Sequence, residues 1–148
     1  RGGDTEDTAV VLLKFENGSL GTLSVSDTII SPWSWELTSK ENSIYPNQKQ
    51  NCYLIGGTHG SMELPQSKIW KSTEKRSWWE PLTHTNNKVH ETKNHPLNEQ
   101  LDNFLSVIEK KKEPICSGLD GLNTLAVIEA IKLAAKKGAA VKPEILKD

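Results

Sequence analysis

Four of the five tryptophans come as close pairs, Trp33 with Trp35 and Trp78 with Trp79, and a carboxylate directly follows each pair, Glu36 and Glu80. An indole face beside an acid suits a sugar or polyol, because C–H groups pack on the ring while hydroxyls donate to the carboxylate. The competing use of such rings is packing, with Trp70 and one member of each pair filling space between sheet and helix. Trp33 and Trp35 are the stronger candidates for ligand contact. They lie with Glu36 and Tyr45 in a stretch, residues 29–50, that is too long for a plain connector and carries too many large aromatics to be disordered.

Other chemistries find less support. A phosphate cradle needs a glycine-rich turn leading from a strand into a helix whose first amides face the anion. The cluster Gly56-Gly57-Thr58-His59-Gly60 leads instead into Ser61-Met62-Glu63-Leu64, which reads as a strand. It is therefore expected to be a hairpin turn, and no cofactor-binding residue is assigned in this chain. His84, His90 and His95 fit neither the i, i+4 spacing of helical chelation nor a zinc pattern, so no metal ligand is assigned. Cys52 and Cys116 lie far apart and in no ligand spacing, which points to a reducing, cytoplasmic home. No Ser-His-Asp or Cys-His arrangement can be argued, and no catalytic residue is assigned.

The elements that must position these residues can be read from the hydrophobic period. The 148 residues are one domain's worth of chain. Lys plus Arg is 18 and Asp plus Glu is 19, a balance that argues against a nucleic-acid binder with a dominant cationic surface. No apolar run approaches the ~20 residues of a membrane-spanning helix, and no signal segment opens the chain. Residues 9–15 and 20–26 read as two strands joined through Asn17-Gly18, with both turn residues at positive φ. The second strand alternates: Leu23 and Val25 point one way and the hydroxyls of Thr22, Ser24, Ser26 and Thr28 the other. A hydroxyl stripe of this kind is either an ordinary solvated face or a surface that meets another protein.

Further strands are expected at residues 52–55, 61–64, 68–71 and 77–80, with residues 83–94 irregular. From His95 the period becomes 3.6. Pro96 opens a helix whose face is Leu97, Leu101, Phe104, Leu105 and Ile108. Ser117-Gly118-Leu119-Asp120 has capping-box spacing and opens a second helix to Lys137, with Gly138 as its C′ residue. That helix is apolar around most of its circumference and is expected to be central, covered by sheet and by the first helix. The fold class is α+β: a mainly antiparallel or mixed open sheet with two helices packed on one face.

Three stretches resemble the C-terminal domain of the Gfo/Idh/MocA family, named for glucose–fructose oxidoreductase, inositol dehydrogenase and their relatives. The first runs from Glu6-Asp7-Thr8-Ala9 to the Glu16-Asn17-Gly18-Ser19-Leu20-Gly21 turn. The second is Ile55-Gly56-Gly57-Thr58-His59-Gly60-Ser61-Met62-Glu63-Leu64. The third joins Pro96-Leu97-Asn98-Glu99-Gln100-Leu101-Asp102-Asn103-Phe104 to Pro114-Ile115-Cys116-Ser117-Gly118-Leu119-Asp120-Gly121-Leu122. With the helix that closes at Gly138, they span nearly the whole chain, in the family's order.

The resemblance implies an NAD(P)-dependent oxidoreductase of sugars, polyols or similar hydroxy compounds. Its N-terminal Rossmann domain would hold NAD or NADP and the catalytic residues and would lie outside this chain, which alone would bind no cofactor and be inactive. The resemblance also places the Trp33-to-Tyr45 stretch near the substrate cleft and the open sheet face at a homo-oligomer contact, with no nucleic acid or membrane as partner. A rival expectation from the residues is a non-catalytic carbohydrate-binding or interaction domain that uses the tryptophan pairs as its platform.

Overall fold

The computed structural model describes residues 5–86 and 95–146. In chain order the elements are β1 (Thr8–Lys14), β2 (Leu20–Ser26), α1 (Trp35–Thr38), β3 (Tyr53–Gly56), β4 (Ser61–Leu64), β5 (Lys68–Ser72), β6 (Leu82–Asn86), α2 (Pro96–Ile108) and α3 (Gly118–Lys137). The class is α+β and all pairings are antiparallel, but the strands form two sheets rather than one, β1-β2 and β3-β4-β5-β6. The chain divides into two units, one of Arg1–Ile29 with Asn103–Asp148 and one of Ile30–Asp102. No helix among the described residues is long and apolar enough to cross a membrane.

In the first unit, β1 and β2 pair over seven positions from Thr8↔Ser26 to Lys14↔Leu20. Their turn differs from the expected one. Gly18 has a φ of 86° but Asn17 does not share the left-handed region, and the Gly18 N–H donates to the Phe15 carbonyl at 3.0 Å. This is a three-residue loop in which a turn with ordinary φ is closed by one left-handed glycine. Asn17 contributes its side chain instead, accepting from the Ser19 N–H at 3.0 Å.

The helix α3 has both ends expected from its sequence. Ser117 Oγ accepts from the Asp120 N–H, the Asp120 carboxylate accepts from the Ser117 N–H at 2.8 Å, and Gly138 follows in the left-handed conformation at φ 61°. On this helix Leu122, Leu125 and Ile128 are 49, 58 and 42% exposed. The apolar face of α2, with Phe104 and Leu105, is exposed as well.

In the second unit, the glycine cluster is the expected hairpin turn, with Gly56 paired to Ser61 and the Gly57 N–H donating to the Gly60 carbonyl at 2.8 Å. A Cβ at Gly60 would stand 2.6 Å from the Trp70 carbonyl oxygen, so β5 approaches this closely only because the residue is glycine. The last strand is displaced from its expected place. Residues 77–80 lie in a turn where Trp78 and Trp79 are almost fully exposed, and β6 starts at Leu82. Partner register decides this: Trp70↔His84 and Ser72↔Leu82 continue the β5 ladder, and a polar run of Thr83, His84 and Thr85 fills it with main-chain groups.

Candidate functional site

The stretch containing Trp33, Trp35, Glu36 and Tyr45 is an ordered loop built around one helical turn. Ser34 caps α1, its hydroxyl accepting from the Leu37 N–H at 3.3 Å, and the Thr38 hydroxyl donates back to the Ser34 carbonyl at 2.7 Å. Thr38 is the one fully buried side chain among the described residues, and its hydroxyl also contacts Cys52 Sγ at 3.4 Å. A turn this short has no propensity to persist alone. A side chain and a main-chain donor fasten it. Asn47 Nδ2 donates to the Thr38 carbonyl at 2.9 Å, and the Gln48 N–H donates to the Leu37 carbonyl at 2.7 Å. The loop's exit is tied to β4 through Asn51, which donates to Glu63 Oε2 at 2.7 Å and accepts from the Gln66 N–H at 3.0 Å.

This frame separates the two tryptophans. Trp35 is half-buried: its ring centroid lies 5.7 Å from that of Tyr53 at a 52° tilt, and its indole N–H donates to Glu41 Oε2 at 2.7 Å. Its apolar face and its donor are thereby both engaged. Trp33, one residue before the cap, is 64% exposed, and Tyr45 is 44% exposed. Glu36 is exposed in the first turn of α1. Of these four residues, Trp33, Glu36 and Tyr45 are exposed and Trp35 is the one whose ring and donor are engaged.

Indole–carboxylate pairing, expected from adjacency in sequence, occurs here with other partners. Trp35 takes Glu41 rather than Glu36. Trp70, expected to serve as packing, donates its indole N–H to Glu63 Oε1 at 2.6 Å. Around that ring His84 packs at a 45° tilt with centroids 4.8 Å apart, and the Lys68 ammonium sits 4.0 Å from the ring centroid. Glu63, Lys68, Trp70 and His84 share one sheet face because Glu63↔Lys68 and Trp70↔His84 are register pairs. The alternation of β4 and β5 carried the faces, but only the pairing brought the acid, the cation and the two rings together. His95 stands before α2, its Nδ1 accepting from the Leu97 N–H at 3.3 Å, and His90 lies outside the described residues.

The second candidate surface is the outer face of β1-β2. The hydroxyls of Thr8, Ser26 and Thr28 bond to one another at 2.8–3.2 Å. Groups that satisfy one another bind water less tightly, which lowers the cost of covering them. Register adds residues that the single-strand reading missed: Thr22 pairs Leu12 and Ser24 pairs Val10, so these apolar side chains stand on the same face. Leu12 is 83% exposed and Val10 75%. The stripe is an apolar and hydroxyl mixture, more suited to a protein partner than hydroxyls alone. At the hairpin's turn, the Lys142 ammonium lies 2.9 Å from Glu16, holding that carboxyl below its ordinary value by hydrogen bonding and charge.

The glycine cluster does not fit a dinucleotide. It joins antiparallel β3 and β4, spends the Gly57 N–H within the turn and precedes no helix, so it lacks the amide array that a pyrophosphate requires.

Comparison with known families matches residues 1–142 to the oxidoreductase family, C-terminal alpha/beta domain. No curated protein and no solved structure matches the chain.

Proposed function

This chain belongs to the Gfo/Idh/MocA oxidoreductase family as its C-terminal alpha/beta domain, and from that premise we propose that it forms the substrate-side wall of an NAD(P)-dependent enzyme. The substrate class is a sugar, polyol or similar hydroxy compound, and the enzyme works in the cytoplasm. A Rossmann domain elsewhere in the polypeptide would hold NAD or NADP and the catalytic groups. The observation that carries the reading is the ordered loop in which Trp33 and Glu36 are exposed while Trp35 is held by Glu41 and Tyr53. An exposed indole held at a capped helix start offers C–H packing, and Glu36 and Tyr45 offer hydrogen bonds to hydroxyls. Closing such a wall over the reacting carbon would orient it and exclude water.

The mixed face of Thr22, Ser24, Ser26 and Thr28 with Val10 and Leu12 supports a second role, subunit association. An isologous contact would set this face against its copy.

The decisive experiment is turnover by the full-length protein with glucose and myo-inositol as probes, each with NAD+ and NADP+. Reduction of the nicotinamide, lost selectively in KM for the sugar when Trp33 is replaced by Ala, is the expected result. Trp33→Ala that leaves every substrate constant unchanged would overturn the wall reading. The isolated chain should bind neither nucleotide; saturable micromolar binding in calorimetry would contradict that assignment.

A further inference from the structure

We infer that Asn47 is a positioning residue of the substrate wall, the side chain that, together with the Gln48 N–H bond to the Leu37 carbonyl, sets the spacing between α1 and the limb carrying Tyr45; the inference rests on the wall reading above. The geometry starts from an unmet need. α1 is one turn long, so its last carbonyls have no helical donors to use. The Thr38 carbonyl belongs to the fully buried residue, where an unpaired acceptor is costly. Asn47 Nδ2 meets it at 2.9 Å and reaches the Leu37 carbonyl at 3.5 Å. The same side chain accepts from the Lys49 N–H through Oδ1 at 3.2 Å.

That last bond fixes the amide's orientation: with Oδ1 committed to a donor, the NH2 group faces the two carbonyls. It also supports Lys49, which stands in the left-handed region at φ 44°. One side chain thus joins the end of α1 to the returning limb of the loop. Trp33, Trp35 and Glu36 are on the α1 side of this clamp and Tyr45 is two residues before it. Neither Asp nor Leu can replace it. Asp would set a carboxylate oxygen against the two carbonyls, and Leu has no donor.

The test uses the full-length protein labelled with 5-fluorotryptophan, with Trp35→Phe assigning the Trp35 resonance. Asn47→Asp should move that resonance while leaving the Trp70 resonance in place. It should raise KM for the glucose or myo-inositol that is turned over by about five- to tenfold, with kcat and the nucleotide KM little changed. Asn47→Gln, which keeps the donor on a longer arm, should recover part of the loss. A Trp35 resonance and KM both unmoved by Asn47→Asp would overturn the inference. So would a moved resonance with unchanged KM when Trp33→Ala does raise KM, and in that case the wall reading would survive. If neither Asn47→Asp nor Trp33→Ala changes KM, or neither probe is turned over, the wall reading fails and this inference falls with it.

Discussion

The β1-β2 hairpin and the loop around α1 solve the same problem in opposite ways. The hairpin is held by a main-chain ladder of seven residue pairs, which requires no particular side chains, and it leaves Val10, Leu12 and Leu20 exposed. The α1 loop has almost no regular ladder and depends on named side chains: Ser34, Thr38, Asn47 and Asn51 each satisfy a specific main-chain or carboxylate group. A ladder frees side chains to face a partner, whereas a loop spends its polar side chains on itself and can afford to expose only a few. The first region is suited to association and the second to holding a small number of groups in place.

The largest effect that would break this contrast is on the hairpin face. Ser24→Lys places a charge among Val10, Leu12 and the neighbouring hydroxyls. If this face is a subunit contact, the substitution should weaken association by about 3–5 kcal/mol and shift the full-length protein toward monomer in light scattering. A wild-type protein that is already monomeric at tens of micromolar would remove the association role from this face. The second unit has a site of comparable sensitivity for a different reason. Gly60→Ala sets a methyl against the Trp70 carbonyl, and the resulting displacement of β5 should cost about 1–3 kcal/mol, read as a lower thermal midpoint.

The two tryptophans of the loop sharpen the comparison further. Trp33→Ala should raise the sugar KM about tenfold, the equivalent of roughly 1.4 kcal/mol, with the melting temperature nearly unchanged. Trp35→Ala should lower the melting temperature as well, because it removes the Tyr53 contact and leaves Glu41 without its donor. Equal melting temperatures for the two variants would mean that Trp35 does not support the loop.

A smaller effect concerns α3. Ser117→Ala should cost about 1 kcal/mol through loss of the cap. The Asp120 carboxyl is held below its ordinary value, first by the Ser117 hydroxyl and then by the Ser117 N–H. A carboxyl depressed on folding stabilises above its unfolded pKa, here near 3.8, and that contribution is lost as pH falls through the lower folded value. Helix content followed by circular dichroism should therefore decline below about pH 4, and Ser117→Ala should move the onset upward. An acid transition identical in the two proteins would show that the cap does not couple to Asp120.

Local chemistry made much of this chain legible from its residues alone. The ends of α3 followed from Ser117, Asp120 and Gly138, because caps are satisfied by residues within one turn. The hairpins at Asn17-Gly18 and at Gly56–Gly60 followed from turn residues between apolar runs, and the order of all the pieces carried the family. The turn around Gly18 differs from the expected one because two geometries use the same Asn-Gly pair, and the choice between them lies in the main-chain bonds of Phe15.

What tertiary structure alone decided is which residues meet. Glu36 and Glu80 follow tryptophans in sequence, yet Glu41 and Glu63 are the acids that hold an indole. Asn47 stands in an unpatterned polar stretch, and its role arises only where two chain limbs separated by several residues converge. The displacement of β6 from residues 77–80 to Leu82–Asn86 has the same origin. Hydrophobic period and capping are interactions along the chain and are written in its order. Register, cross-strand pairing and loop clamps depend on distances through space, which folding sets.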